Sequence, residues 1–463
     1  MSRFAEWVRI SDDHRAARLA LMERVEPILE GRRHVDDGER AVLADKLERW
    51  RYQLLDEIRR LHHCRDHGEA PGGSSGRSVR TDPSWRPLVD ALDQAARKIA
   101  RRPALPPRAP RAATETRSCE DPAAATAAAC LDDSLRLGEL ESQAASRTRD
   151  LFGGPLKGSA GHDGWRILLY APVYLSSLCI NHCVYCGFSF DQEIPRRHLT
   201  VDEALSQALL LQGRGFRHLL LVAGDFPSRT STAYFEEIIG RMVAAKIKPG
   251  LEVAALSTGE YGRLVAAGAC GVTLYMETYQ EATYAAAHLR GPKRSFDWRL
   301  EAMERAAEAG VKRLGLGILL GLADPYLDLM SLVRHARYLE MRFPGRKLAF
   351  SLPRIHAAPE GYTRAHPVDD DTFVRLYCAL RLAFPEAELV LSTREEISLR
   401  NRLARICVTQ MSAGSSTRPG GYGRPDVSAT APQFPVADLR SPAAVAAWLE
   451  GAGFQPIWDL PDL

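Results

Sequence analysis

Residues 166–190 read RILLYAPVYLSSLCINHCVYCGFSF, an apolar run that breaks into a loop carrying Cys179, Cys183 and Cys186. The run 166–175 is almost continuously apolar, as a strand buried on both faces must be. The C-x3-C-x2-C spacing behind it lets three thiolates wrap one face of a [4Fe–4S] cluster, leaving the fourth iron open to a substrate or cofactor. Structural zinc is the alternative reading. It wants four ligands, usually as two paired knuckles, yet no second pair follows, and His182 sits inside the loop where reaching the same metal is awkward.

Downstream, seven further β-rich runs alternate with amphipathic helical stretches: 217–223, 251–256 (LEVAAL), 272–276, 313–321, 347–352, 388–392 and 406–411 (ICVTQM). Such alternation predicts an α/β fold with a parallel sheet, and eight units suit a closed (β/α)8 TIM-type barrel, with an open doubly wound sheet as the rival. The placement of reactive residues favours the barrel. The cysteines follow strand one, Gly224–Asp225 strand two, Glu277 strand four, Arg354 strand six, Arg394 strand seven and Ser412 strand eight. All therefore fall at the face where barrel active sites form.

The preceding sequence has a different texture. Residues 1–101 form a helical amino-terminal extension, with Leu, Val and Trp at helical spacing in VLADKLERWRYQLLDEIRRL (42–61), interrupted by a Gly, Ser and Pro-rich break at 68–85. Residues 102–130, rich in Pro, Ala and Arg, read as a low-complexity linker, and 131–463 as the barrel with carboxy-terminal motifs. A net charge of +3, with 26% charged residues, calls for neither nucleic acid nor an acidic membrane. Nine cysteines in 463 residues are too sparse for a disulfide scaffold. With no apolar run of about 18 residues and no apolar stretch at the amino terminus, the chain reads as cytoplasmic.

The cysteine spacing, with aromatic Tyr185 just before the last cysteine, resembles the radical S-adenosylmethionine (SAM) superfamily. That resemblance implies one [4Fe–4S] cluster on Cys179, Cys183 and Cys186, SAM chelated at the open iron, and Tyr185 beside the adenine. It also implies cleavage of the sulfonium to a 5′-deoxyadenosyl radical, which demands a dry, closed site. Gly224–Asp225 stands where the superfamily usually carries Gly–Glu to receive the SAM amino group; Glu277 is expected at the ribose and Arg299 at the SAM carboxylate.

Further motifs narrow the resemblance. ETYQEATYAAAHLRGPKRSFDWRLE (277–301), GLGILLGLAD (315–324), SLPR (351–354), LSTREE (391–396) and MSAGSSTRPGGYG (411–423) look like the radical SAM aromatic amino acid lyases. The match covers roughly residues 131–463. It implies that Arg394 and Ser412 hold the substrate carboxylate, that Arg354 organises the site, and that Gly420, Gly421 and Tyr422 shape a loop over the pocket. The implied reaction breaks the Cα–Cβ bond of an aromatic amino acid. The S-A-G-S-x-T-x-P-G-G-Y run and Gly187–Phe188 lean toward the tyrosine lyases of the 2-iminoacetate synthase type, giving 2-iminoacetate and p-cresol.

No cysteine follows Cys407, so a single cluster is expected. Implied partners are the aromatic amino acid, an electron donor such as flavodoxin or ferredoxin, and a protein acceptor for the unstable imine, which the amino-terminal extension would dock. Three features depart from the pattern: Asp225 for Glu, Met276 where a Gln is common, and the long extension. They leave open a lyase or mutase acting on tryptophan or another aromatic amino acid, and a non-catalytic cluster-binding interaction protein.

Overall fold

A computed structural model describes residues 15–67, 85–101, 121–132, 134–153, 164–423 and 429–461. The chain divides into two compact units. The first contains helices α1 (Arg15–Leu29), α2 (Asp37–His67) and α3 (Trp85–Ile99), with residues 256–260 and 295–301. Val25, Leu43, Leu47, Leu92 and Ile99 are fully or almost fully removed from solvent and form its core. Inside this unit, buried Glu48 accepts hydrogen bonds from the amide and hydroxyl of Thr258, and Tyr52 packs edge-on against Trp298 at 4.8 Å. Three helices bury too little surface to be self-evidently stable, so these polar and aromatic clamps add to a modest apolar core.

The second unit begins with α4 (Pro122–Leu131) and α5 (Leu137–Phe152). Residues 102–120 of the expected linker lie outside the described residues. Its end, however, is α4: Asp121 caps the Ala123 and Ala124 amides, Pro122 starts the first turn, and the alanines that make the segment low in complexity are strong helix formers. Arg375 then ties the segment down by donating to the carbonyls of Cys130, Asp132 and Leu135.

Strands β1 (Arg166–Ser176), β2 (His218–Ala223), β3 (Lys248–Glu252), β4 (Gly271–Thr273), β5 (Arg313–Gly317), β6 (Lys347–Ser351), β7 (Glu388–Leu391) and β8 (Gln410–Ser412) are parallel. They pair in chain order, and β1 closes the ring by pairing with both β2 and β8. The fold is thus the closed (β/α)8 barrel rather than the open sheet. A ninth strand, β9 (Gln455–Ile457), adds to the first residues of β1 and was not anticipated.

Between strands run α6 (Val201–Gly213), α7 (Thr232–Ala244), α8 (Thr258–Ala267), α9 (Glu281–Ala287), α10 (Phe296–Leu300), α11 (Ala302–Glu308), α12 (Pro325–Arg342), α13 (Asp370–Ala383) and α14 (Ile397–Ala404); α15 (Pro442–Gly451) precedes β9. Several start on side-chain caps: Thr200 with Glu203 in a capping box, then Ser231, Asp324, Asp369 and Ser441. None of the described helices is long and apolar enough to cross a membrane.

Two strands are displaced from the sequence reading. The third was expected at 251–256 but spans Lys248–Glu252, because Pro249 and Gly250, residues that usually punctuate, pair within the sheet. Gly250 suits the close pairing there: a Cβ would stand 3.2 Å from the buried His218 ring, which would have to give by a few tenths of an ångström. The eighth, expected at 406–411, is Gln410–Ser412, since the amides of Ile406, Cys407 and Val408 still bond to Leu403 as α14 winds out.

Candidate active site

β1 carries a register shift between Tyr174 and Ser176, immediately before the cysteine loop, and such irregularities re-aim a strand beside a site. The loop is tied to two neighbours. Ile180 donates to the carbonyl of Asp225, while His182 and Val184 donate to those of Arg290 and Ala287. Buried Asn181 bridges both: its Nδ2 donates to Asp225 Oδ2 at 3.0 Å, and its Oδ1 accepts from the Lys293 amide at 2.8 Å.

Two glycines permit this closeness. A Cβ on Gly224 would stand 2.3 Å from the Leu178 carbonyl oxygen and 3.2 Å from Cys179 Cβ. Gly291, at φ +94°, lies against Asn181 in a backbone conformation that suits glycine. Gly224→Ala is therefore expected to cost about 1–3 kcal/mol through overpacking and to lower iron bound per chain after anaerobic reconstitution. Unchanged iron content would show that the loop tolerates the methyl.

The three cysteines are free thiols on one loop. Burial pushes Cys179 up and Cys183 up to about 12, so protons must leave as metal binds. His182, the fourth ligand of the zinc reading, is engaged elsewhere, with Nδ1 on Asp191 at 2.8 Å and its ring against Phe190. Donor chemistry and cradle fit a three-thiolate cluster. Gln433, which the sequence reading missed, points Nε2 at Cys186 Sγ (3.7 Å) and accepts the Tyr174 hydroxyl at 2.8 Å.

Tyr185 is held by His288. The buried imidazole donates from Nδ1 to the Tyr284 carbonyl at 2.8 Å, which leaves Nε2 to accept the Tyr185 hydroxyl at 2.9 Å. Tyr284 and His288 thus serve as supports rather than ligands. Glu277 adopts φ +71°, rare for a residue with a side chain and characteristic of functional positions. Its Oε1 accepts from Lys293 Nζ at 2.6 Å, and Lys293 also lies 5.5 Å from the Tyr185 ring centroid. Met276 is buried, its amide bonded to Gly317. Arg299 stands on α10, in the first unit.

Inside the barrel a cavity brings together Tyr185, Cys186, Glu277, Arg394 and Ser412, five of the residues singled out from sequence. Arg394 lies flat on Phe434, its guanidinium carbon 3.5 Å from the ring centroid, and Nη1 donates to the Arg354 carbonyl at 3.2 Å. Its Nε is buried without a hydrogen-bond partner. The Ser415 hydroxyl, also lining the cavity, is likewise buried and unpartnered. Ser412 is more occupied: Oγ accepts the Thr393 amide at 2.9 Å and hydrogen-bonds the Tyr170 hydroxyl.

Arg354 does not line this cavity. Its guanidinium pairs with Glu395 and with Asp370 and packs on Phe373, so its side chain stiffens the strand end while its carbonyl holds Arg394. Gly420, Gly421 and Tyr422 do not line this cavity; Tyr422 donates its hydroxyl to the Pro172 carbonyl and its amide to Gln207 on α6.

Glu252, at the end of β3, and Lys293 complete the charged lining, and neither was singled out from sequence. Lys293 stood unremarked in the GPK run, and Glu252 was an acid within an otherwise apolar strand run. Burial, then the charge of Glu277, raises the Glu252 carboxyl to about 7 against the opposing pull of Arg394 and Lys293.

A closed parallel barrel, three clustered thiols at its carboxy-terminal face and a polar cavity beside them define a radical SAM barrel enzyme. The radical SAM superfamily model matches residues 173–336, and the Biotin and Thiamin Synthesis associated domain matches 351–455. The chain is 37% identical over 323 residues to 2-iminoacetate synthase of Escherichia coli (strain K12), covering 70% of this chain and 82% of the relative. The corresponding Salmonella typhimurium enzyme is 36% identical over 64% of this chain and 78% of its own. A crystal structure of HydG, a maturase of the [FeFe]-hydrogenase, superposes with a TM-score of 0.65 at 31% identity, over 73% of this chain and 72% of that one. The chain belongs to the radical SAM aromatic amino acid lyase family, whose cofactors are a [4Fe–4S] cluster and SAM.

Proposed function

We propose that this chain cleaves the Cα–Cβ bond of L-tyrosine to yield 2-iminoacetate and p-cresol. The observation that carries this reading is the pair of unpartnered buried donors, Arg394 Nε and Ser415 Oγ, in a cavity lined on another side by Tyr185 and Cys186. Orphaned buried donors cost about 1–3 kcal/mol each, which a bound carboxylate relieves. The likeness to the 2-iminoacetate synthases supplies the reaction and the ring identity.

When bound together, the cluster and SAM supply the one-electron chemistry that generates a 5′-deoxyadenosyl radical. The chain's own residues anchor, orient and enclose. Cys179, Cys183 and Cys186 hold the cluster; Tyr185 flanks the adenine, and Gly224–Asp225 positions the SAM amino group. Glu277 takes the ribose, exchanging part of its bond to Lys293. Arg394 and Ser412, joined by Ser415, fix the substrate carboxylate, and the loop 411–423 closes the cavity against water.

A small one-electron carrier, flavodoxin or ferredoxin, supplies the electron, and a partner protein takes the imine before water does. Both fit a cytoplasmic enzyme of thiamine biosynthesis. Anaerobic reconstitution followed by SAM, dithionite and each aromatic amino acid tests the proposal. p-Cresol with 5′-deoxyadenosine from tyrosine is the expected result; indolic products from tryptophan would replace tyrosine as substrate. Absence of SAM cleavage with every amino acid would favour a non-catalytic role.

A further inference from the structure

An α-amino acid enters as a zwitterion, so a site built for it needs one cation and one anion not already committed to each other. Among the described residues, four charged side chains line the cavity: Glu252, Glu277, Lys293 and Arg394. Lys293 and Glu277 are joined at 2.6 Å. Arg394 and Glu252 remain, on β7's following turn and at the end of β3, near enough to influence each other's charge. Arg394 offers the guanidinium to a carboxylate. Resting on the lyase reading above, we infer that Glu252 receives the substrate's α-ammonium group and takes one of its protons.

The chemistry asks for such a group. Removing a hydrogen atom from an ammonium leaves an electron-poor radical cation, whereas removing it from a neutral amine leaves a neutral aminyl radical. The amine must therefore lose a proton before the hydrogen atom is abstracted, and a base within the cavity is placed to take it. The balance is simple: one proton passes from the ammonium nitrogen to a Glu252 carboxylate oxygen, giving a neutral amine and a carboxylic acid, and no electrons change hands. The raised Glu252 carboxyl brings acceptor and donor closer in proton affinity than an ordinary carboxylate would. Tyr275, hydrogen-bonded to Glu252 and in turn to Ser351, orients the carboxylate and remains as its partner after protonation.

Equilibrium binding separates this role from catalysis. Protein reconstituted with its cluster and SAM, but without reductant, is titrated with L-tyrosine and with 3-(4-hydroxyphenyl)propanoate, which keeps the carboxylate and ring but lacks the amine. Tryptophan and indole-3-propanoate form a second pair. The wild-type protein is expected to prefer the amino acid by about tenfold or more, the worth of one charge-assisted hydrogen bond. Glu252→Gln should level the pair by weakening the amino acid alone, with the deaminated analogue bound as before, and Glu252→Asp should restore part of the preference.

In turnover, Glu252→Gln should lower kcat as well as raise KM; a change in KM alone overturns the proton transfer. A Gln variant that keeps the wild-type preference overturns the whole inference, as does a wild-type protein with no preference. If a Gln variant loses both ligands of a pair, the same ratio is read from the Asp variant. Binding of tryptophan rather than tyrosine would remove the tyrosine reading while leaving Glu252 to be judged on the second pair. Binding of neither amino acid removes both.

Discussion

Replacing Arg394 with alanine is expected to lower kcat/KM by about 30- to 5000-fold, the 2–5 kcal/mol that follows when one partner of a buried, hydrogen-bonded charge pair is truncated. The guanidinium is pre-set for its task. Phe434 supports its face, the Arg354 carbonyl fixes Nη1, and buried Nε has no other partner. Little rotamer entropy is left to lose when a carboxylate arrives. Arg394→Lys keeps a charge but neither the fork nor the stacking, so it should recover only part of the loss. Binding of 3-(4-hydroxyphenyl)propanoate should weaken in parallel, because that ligand retains the carboxylate. Iron content should not change, since the groups that hold Arg394 are the Phe434 ring and the Arg354 carbonyl. Wild-type kcat/KM in Arg394→Ala would remove Arg394 from the substrate site and leave Ser415 as the anchor to test.

The cluster loop was legible as a candidate because its information is local: three thiols within eight positions suggest a ligand set whatever surrounds them. The barrel was legible for a related reason, since strands buried on both faces announce themselves as apolar runs. Where that signal failed, it failed informatively. β3 starts at Lys248, through Pro249 and Gly250, and reading its start from hydrophobicity moved the strand three residues along. That shift disguised Glu252 as an early strand residue, when it is the last residue of β3 and so belongs to the face where barrel chemistry sits. The same logic applies to β8, which ends on Ser412 only because α14 unwinds later than its apolar tail suggests. The Glu277–Lys293 pair, the Asn181 bridge and Gln433 beside Cys186 arise from tertiary contact between segments up to 247 residues apart, and no local pattern encodes them.

Among the structural supports, Arg400 is expected to matter most: Arg400→Ala should destabilise the barrel by about 3–5 kcal/mol, as when a buried ion pair loses one member. Its side chain has no solvent exposure. It bonds Asp438, itself fully buried at its side chain, and donates to the Ser412 carbonyl, thereby joining α14, the end of β8 and the segment before α15. Arg440 also bonds Asp438 and would remain, so the lost partnership is partial while the cavity and the unpaired Ser412 carbonyl are not compensated. Arg400→Met, which fills most of the volume, should cost less than alanine.

The pH dependence follows from Asp438. Burial raises its carboxyl, but Arg440 and Arg400 outweigh that and hold it below the usual carboxylate range. A depressed folded-state value contributes stability above the unfolded-state value, near 3.9, and loses it as pH falls through the folded one. In Arg400→Ala the carboxylate has lost part of that support, so its protonation in acid relieves a cost that the wild-type protein does not carry. The gap between wild type and variant, read from denaturant midpoints, should therefore be widest near neutral pH and shrink below about pH 4. A gap that stays constant across that range would assign the loss to the cavity and the Ser412 carbonyl rather than to the ion pair. Because Ser412 lines the substrate cavity, Arg400→Ala should also lower kcat/KM in protein that is still fully folded, linking the support of the strand end to the geometry of the substrate anchor.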